Sequence, residues 1–181
     1  MEIIEELKIL ENTYHSESKL LISEGETSVL LLNISNDLVN NTHLKAITRF
    51  VAANTSSSYI VNTKESIVID DNEINNSIDE LINNKGITFV INLTPTKETN
   101  DIVINASSKI DYTILKELED AFHEAYITNL NVEKYNNEIM DCDYIEISIS
   151  NQYHDLDEVE NIEKLCNALI NFIKMYNNFS D

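Results

Sequence analysis

The residues whose spacing best suits chemistry are Asp141 and Asp143, which flank a cysteine in the sequence DCD. In an extended segment both carboxylates point to the same face, and Mg²⁺ sites often combine such pairs with substrate phosphates. The same face continues through the isoleucines of YIEISIS, so both aspartates are predicted at the entrance of a strand with a buried face. His154 and Asp155 would be natural extra ligands, but they lie roughly 25 to 35 Å away along an extended strand. The pattern allows a weak cation site at the two aspartates, and a carboxylate metal-dependent enzyme there is one alternative.

Other catalytic motifs are incomplete. The sequence HEAYI begins like the zinc-peptidase motif HExxH, but Ile127 stands where the second histidine is needed. Cys142 and Cys166 have no histidine nearby in sequence, and no GxSxG elbow presents a serine nucleophile. The chain has 2 glycines, too few for a Rossmann fingerprint or a Walker A loop. The leading interpretation therefore has no catalytic residue, no metal centre and no cofactor.

Apolar periodicity predicts the elements that position these residues. Helical spacing predicts helices over residues 1–12, 37–53, 73–84, 111–126 and 156–176, with Gly86 as a C-cap of the third. Short apolar runs predict strands in KLLIS, SVLLLNIS, SYIVN, SIVID, GITFVINL and DIVINAS, and over residues 130–135 and 143–150. The predicted fold class is α+β: an antiparallel or mixed sheet of successive strand–strand–helix units, with hairpin strand pairs and helices packed on one face.

The composition predicts a single compact domain over residues 1–181. Two ββαββα halves, at about 14–84 and 85–181, are a further interpretation of the repeated order of elements. The 2 glycines and 1 proline leave no long flexible linker. No basic leader and no run of about 20 apolar residues is present, and two cysteines without a CxxC motif indicate reducing conditions. We therefore expect a cytoplasmic protein with no membrane contact.

Charge is the strongest compositional signal, with 32 acidic residues against 12 basic ones and a formal net charge of −20. The surplus is greatest late in the chain, and residues 138–163 contain no lysine or arginine. Because phosphate affinity comes from Lys and Arg, direct binding of DNA or RNA is disfavoured. Opposite fields would instead favour docking to a basic protein surface. The acidic residues predicted to form such a partner-binding face are Asp70, Asp71, Glu73, Asp79, Glu80, Glu138, Asp141, Asp143, Glu146, Asp155, Asp157, Glu158 and Glu160.

Three functional interpretations follow. The first is a non-enzymatic acidic inhibitor that docks the basic, nucleic-acid-binding surface of a nuclease, toxin or defence protein, as immunity and phage anti-defence proteins or nucleic-acid mimics do. The second is a chaperone or adaptor, because the order helix 73–84, strands, helix 111–126, strands, helix 156–176 resembles the topology of type III secretion chaperones. That resemblance implies a polypeptide partner and a homodimer. The third is the metal-dependent enzyme at Asp141 and Asp143.

Overall fold

A computed structural model describes residues 2–12, 20–34, 42–62, 70–96, 101–107, 109–135 and 142–179. The helices in these ranges are α1 (Glu2–Asn12), α2 (Thr42–Thr55), α3 (Asp71–Lys85), α4 (Tyr112–Glu124) and α5 (Val159–Phe179). The strands are β1 (Leu20–Ser23), β2 (Val29–Asn33), β3 (Ser58–Asn62), β4 (Phe89–Thr96), β5 (Ile102–Ser107), β6 (Leu130–Tyr135) and β7 (Asp143–Ser150). A 3₁₀ turn over Asn151–Tyr153 follows β7.

The described strands form one mixed sheet in the spatial order β1-β3-β2-β4-β7-β5-β6. The four strands β3, β2, β4 and β7 are parallel to one another. β1 is antiparallel to β3, β5 is antiparallel to β7, and β6 is parallel to β5. The predicted α+β class with a mixed sheet is therefore confirmed.

Helices cover the centre of the sheet on both faces. All five positions of β2 are buried, as is typical of parallel strands that lie between two helical layers. Val29 and Leu31 pack into the core that α1, α2, α4 and α5 share, whereas Leu30 and Leu32 pack against α3. The expectation of helices on one face is corrected accordingly, because α3 lies on the other. No helix in the described ranges is long and apolar enough to cross a membrane.

The predicted hairpins do not form among the described strands. β1 pairs with β3 instead of β2, and β7 lies between β4 and β5. The sequence VLLLN is apolar on both faces of its strand, so it is best buried in the sheet interior between two parallel neighbours. Residues 66–69 of the strand predicted from SIVID lie outside the described residues.

Two helices begin and one ends at residues whose chemistry suits a helix cap. The Asp70 and Asp111 side chains cap α3 and α4, each accepting a hydrogen bond of 2.9 Å from the backbone N–H two residues later. Gly86 ends α3 in the left-handed conformation, with φ 63° and ψ 41°. The C-cap prediction for Gly86 is confirmed.

The connection between β1 and β2 depends on a close backbone approach at Gly25. A Cβ there would overlap the Ser56 and Ser57 carbonyl groups and lie 2.6 Å from the Ser57 oxygen. We expect Gly25→Ala to lower the free energy of unfolding by about 1–3 kcal/mol, because rigid backbone would have to move. Urea unfolding measures this, with Gly86→Asn as control because Asn tolerates the left-handed conformation and the space around Gly86 is open. Equal unfolding midpoints for the two variants would contradict the prediction.

Candidate functional site

The carboxyl ends of the four parallel strands meet at one edge of the sheet, which we call the carboxyl edge. Each strand is apolar for most of its length but ends in a polar residue, namely Asn33, Asn62, Thr96 or Ser150. Asn33, Asn62 and Ser150 are buried there. Ligands of open sheets with parallel strands bind in the crevice outside these ends, so the carboxyl edge is the first place to look for a site.

Asn33 holds two of the strand ends together. Its buried side-chain Nδ2 donates a hydrogen bond of 2.7 Å to the carbonyl oxygen of Leu93, which lies 60 residues later in the chain. The bond joins the end of β2 to β4. Because the amide is fully buried, breaking this bond would leave a desolvated donor, so the spacing of the two strand ends is held firmly.

His154 is the most unusual side chain at this edge. It follows the 3₁₀ turn after β7, is 5% exposed, and its Nε2 atom is buried without a hydrogen-bond partner among the described residues. Burial, and to a smaller extent the charge of His43, lowers the pKa of His154 from 6.5 to about 4, although Asp155 acts in the opposite direction. The imidazole is therefore neutral near pH 7, with one ring nitrogen able to accept a proton.

Two further basic residues lie in the first turn of α2, at the same edge. α2 has 14 residues, so it is about 21 Å long, and its C-terminal end leads directly into the amino end of β3. Its N-terminus, with His43 and Lys45, therefore lies at the carboxyl edge. Lys45 is only 1% exposed. The charge of His43 acts on His154, and the positive end of the α2 dipole favours a negatively charged group at this edge.

Tyr153 fixes the turn that carries His154. Its hydroxyl donates a hydrogen bond of 2.8 Å to Asn129 Oδ1, and the Asn129 carbonyl oxygen accepts one of 2.9 Å from Ile102 N. The turn is thereby tied to the starts of β5 and β6. A side chain positioned by such a network can act with fixed geometry.

Neither described cysteine is a convincing nucleophile. Cys166 is fully buried in the core, where burial raises the pKa of its thiol to about 12, so it stays protonated. Cys142 is half-buried next to Asp143, at the opposite edge of the sheet from His154.

The acidic residues of the predicted partner-binding face are dispersed. Glu138 and Asp141 lie outside the described residues. The acids at α3 are exposed on one face of the sheet, namely Asp70, Asp71, Glu73, Asp79 and Glu80. Two acids of β7 are half-buried, Asp143 and Glu146. The last group is exposed just before and at the start of α5, namely Asp155, Asp157, Glu158 and Glu160. α3 and α5 pack on opposite faces of the sheet, so the described acids do not form one group. Their part in binding a partner stays a prediction.

The half-buried carboxylates of β7 have altered proton affinities. Burial raises the pKa of Asp143, and the negative charge of Asp111 raises it further. Burial also raises the pKa of Glu146. Asp143 is the first residue of β7, as predicted for the strand entrance, and a metal-dependent site there would need Asp141, which lies outside the described residues.

Solved structures share this fold at low sequence identity. A gene product of Agrobacterium tumefaciens superposes with a TM-score of 0.61 at 8% identity, over 95% of this chain and 100% of that one. A metallo-carboxypeptidase from Burkholderia cenocepacia gives a TM-score of 0.56 at 8% identity, over 96% and 68% of the two chains. A bacteriophage poly-γ-glutamate hydrolase gives 0.57 at 11% identity, over 96% and 97%. Identities this low show a shared fold alone. Neither a protein-family model nor a curated protein matches the chain.

This fold corrects the functional prediction. The interpretation as a non-enzymatic acidic inhibitor, immunity protein or anti-defence protein is wrong, because solved proteins with this fold are named as hydrolases. The chaperone alternative is also not supported. The hairpins expected for it are absent among the described strands, and the strands at the centre of the sheet are parallel. Net charge describes solubility and association, and it carries no information about the fold, which is why it misled the prediction.

The name metallo-carboxypeptidase raises the question of a metal, and the described residues do not fit one. Among them, no group of three or more His, Cys, Asp and Glu side chains could hold a metal ion. The strands end at the carboxyl edge in amides and hydroxyls, which are weak ligands for Zn²⁺. His43 and His154 provide two imidazoles without the further ligands that a closed or catalytic zinc site requires.

In the sequence, His154 stands out only as a distant extra ligand for a cation at Asp141 and Asp143. His43 and Lys45 do not stand out at all. One available signal was the polar residue at the end of each apolar strand, which marks the edge where parallel strands meet. The parallel pairing itself has no local signal, because it joins segments that are far apart in the sequence.

The low pKa of His154 predicts a pH-dependent stability. An unfolded histidine binds a proton near pH 6.5, whereas folded His154 binds one only near pH 4, so folding loses stability as pH falls between these values. The full loss is roughly 3 kcal/mol by linkage. The measurement is urea unfolding of wild type and His154→Gln from about pH 7 to about pH 4, since glutamine takes up no proton over that interval. Wild type should lose more stability than the variant, and parallel curves would contradict the prediction.

Proposed function

We propose that the chain is a hydrolase that cleaves an amide bond in a peptide or polyamide substrate at its carboxyl edge, with His154 as the general base. The observation that carries the proposal is the buried, neutral His154, whose Nε2 has no partner among the described residues, at the carboxyl edge of a fold shared with named hydrolases. A buried polar atom with no partner among the described residues suits a site that a ligand completes.

The chemistry requires one proton acceptor and a stabilised oxyanion. His154 takes a proton from water as the water oxygen forms a bond to the carbonyl carbon, and the carbonyl oxygen becomes negatively charged. In this proposal the positive end of α2, which carries His43 in its first turn, stabilises that charge. The C–N bond then breaks, and imidazolium returns its proton to the leaving amine. The low pKa of His154 makes the imidazole a weak base but its conjugate acid a strong proton donor.

The basic side chains at the edge also suggest the kind of substrate. A carboxylate close to the scissile bond would be attracted by the positive N-terminal turn of α2. The metallo-carboxypeptidase and the poly-γ-glutamate hydrolase support a substrate of amide-linked amino acids by their names. The two free cysteines support a reducing, cytoplasmic location as part of the same proposal.

The activity test uses the full chain with peptides and with poly-γ-glutamate, and measures new amino groups. We expect amine release by wild type and a fall of about 10²–10⁴-fold in His154→Gln, the usual effect of losing a general base. His123→Gln is the matched control, since His123 is an exposed histidine of α4. It should retain activity.

Three outcomes would count against the proposal. Cleavage of no substrate would remove the hydrolase assignment. Equal rates for wild type and His154→Gln would remove the role of His154. Activity that a chelator abolishes and added Zn²⁺ restores would show that residues outside the described ranges build a metal centre, and the proposed mechanism would fail.

A further inference from the structure

A cleft of about 260 Å³ lies at the edge of the sheet opposite His154, and we call it the amino cleft. It opens between the first turns of α4 and the last turns of α5. Phe172, Met175, Tyr176 and Phe179 form its apolar wall, and Asp111 and Glu117 bring carboxylates to it. β7 spans about 23 Å from this edge to the carboxyl edge, so the cleft is separate from the candidate active site.

The floor of the amino cleft is held by aromatic packing. The Tyr176 and Phe89 ring centroids are 4.9 Å apart, and those of Phe172 and Phe89 are 5.8 Å apart. The Tyr176 hydroxyl and Thr88 Oγ1 share a hydrogen bond of 2.7 Å. Both ring pairs lie within the range of favourable aromatic contacts, so the cleft is present before any ligand arrives.

At its mouth the cleft combines an exposed ring with unneutralised negative charge. Phe179 is 69% exposed. Among the described residues, neither Asp111 nor Glu117 forms an ion pair, and the Asp111 charge also acts on Asp143. The last turn of α5 contains no basic residue and lies at the negative end of its helix dipole, whereas the positive end of α4 is capped by the Asp111 carboxylate. The electrostatics therefore favour a cation.

We propose that the amino cleft binds a peptide segment in which an arginine or lysine stands next to a large apolar side chain. The apolar side chain occupies the wall beside Met175, whose flexible thioether adapts to different shapes. The cationic group lies between the carboxylates and the faces of Tyr176 and Phe179, where cation–π attraction adds to the charge attraction. This site goes beyond the hydrolase proposal and does not depend on it.

Size and charge favour this occupant over others. Pockets for whole drug-sized ligands measure roughly 300–1,000 Å³, so a cleft of about 260 Å³ suits one or two side chains. A second copy of the chain fits poorly, because two molecules that each carry a net charge of −20 repel one another. An anionic ligand would meet two carboxylates at the cleft.

The binding test uses fluorescein-labelled peptides with a glycine–serine background and one central pair of residues. We expect the Arg-Phe peptide to bind at least about tenfold more tightly than the Gln-Phe and Arg-Ala peptides, because each control removes one of the two contacts. Fluorescence anisotropy gives the affinities, and an NMR shift of the Met175 methyl group locates the peptide. Absence of binding by the Arg-Phe peptide, or equal affinity for a Glu-Phe peptide, would overturn the proposal.

Matched variants separate charge from folding. Asp111→Asn keeps the helix cap, since Asn caps as well as Asp, and Glu117→Gln keeps the shape of the side chain. Together they should weaken Arg-Phe binding at least about tenfold and leave Gln-Phe binding within about twofold. The control pair Glu119→Gln and Asp120→Asn removes the same charge from α4 outside the cleft and should leave Arg-Phe binding within about twofold. If both double variants lose the same affinity for the Arg-Phe peptide, the effect comes from net charge alone and the proposal is wrong.

Discussion

The parallel pairing of β4 with β7 is the constraint on which the rest of the structure depends. Its register runs from Phe89 opposite Asp143 to Thr96 opposite Ser150, over the full length of both strands. This ladder joins the group β1, β3 and β2 to the group β5 and β6. Because it is parallel, it brings two carboxyl ends from distant parts of the chain to one edge. His154, which follows the end of β7, therefore lies at the same edge of the sheet as the end of β2.

The fold and the candidate site carry different amounts of information about chemistry. Solved hydrolases share the architecture, yet the same scaffold can carry many sets of side chains. In this chain the described strand ends supply amides and hydroxyls, and the buried imidazole is the group with proton-transfer capacity. The candidate site therefore combines hydrogen-bonding groups, a buried imidazole and the end of a helix dipole, with the charge of Asp155 next to the imidazole.

Local signals in the sequence were sufficient for much of the fold. Helix periodicity located α3, α4 and α5, the C-cap at Gly86 was expected from its backbone freedom, and β7 was predicted at its observed bounds. Strand order was beyond reach, because it depends on contacts such as Asn33 with Leu93 that no local pattern encodes. The continuous apolar run of β2 was the available warning that helices cover both faces.

The candidate site was harder to predict than the fold. The chemistry of His154 comes from its burial and from the nearby charge of His43, both of which exist only after folding. The acidic residues were easy to see in the sequence, but their number did not reveal where the chain would place them. The single-domain prediction and its two proposed halves stay predictions.

The negative charge of the chain also affects the edge strands of the described sheet, β1 and β6. β1 has four residues and β6 has six, and each hydrogen-bonds to one neighbouring strand in the described sheet, so each leaves a row of backbone groups open to a strand from another molecule. Glu133 is exposed on β6, and every copy of the chain carries the same large negative charge. Mutual repulsion between copies opposes strand pairing at these edges, where a sheet that does not close on itself is open to aggregation.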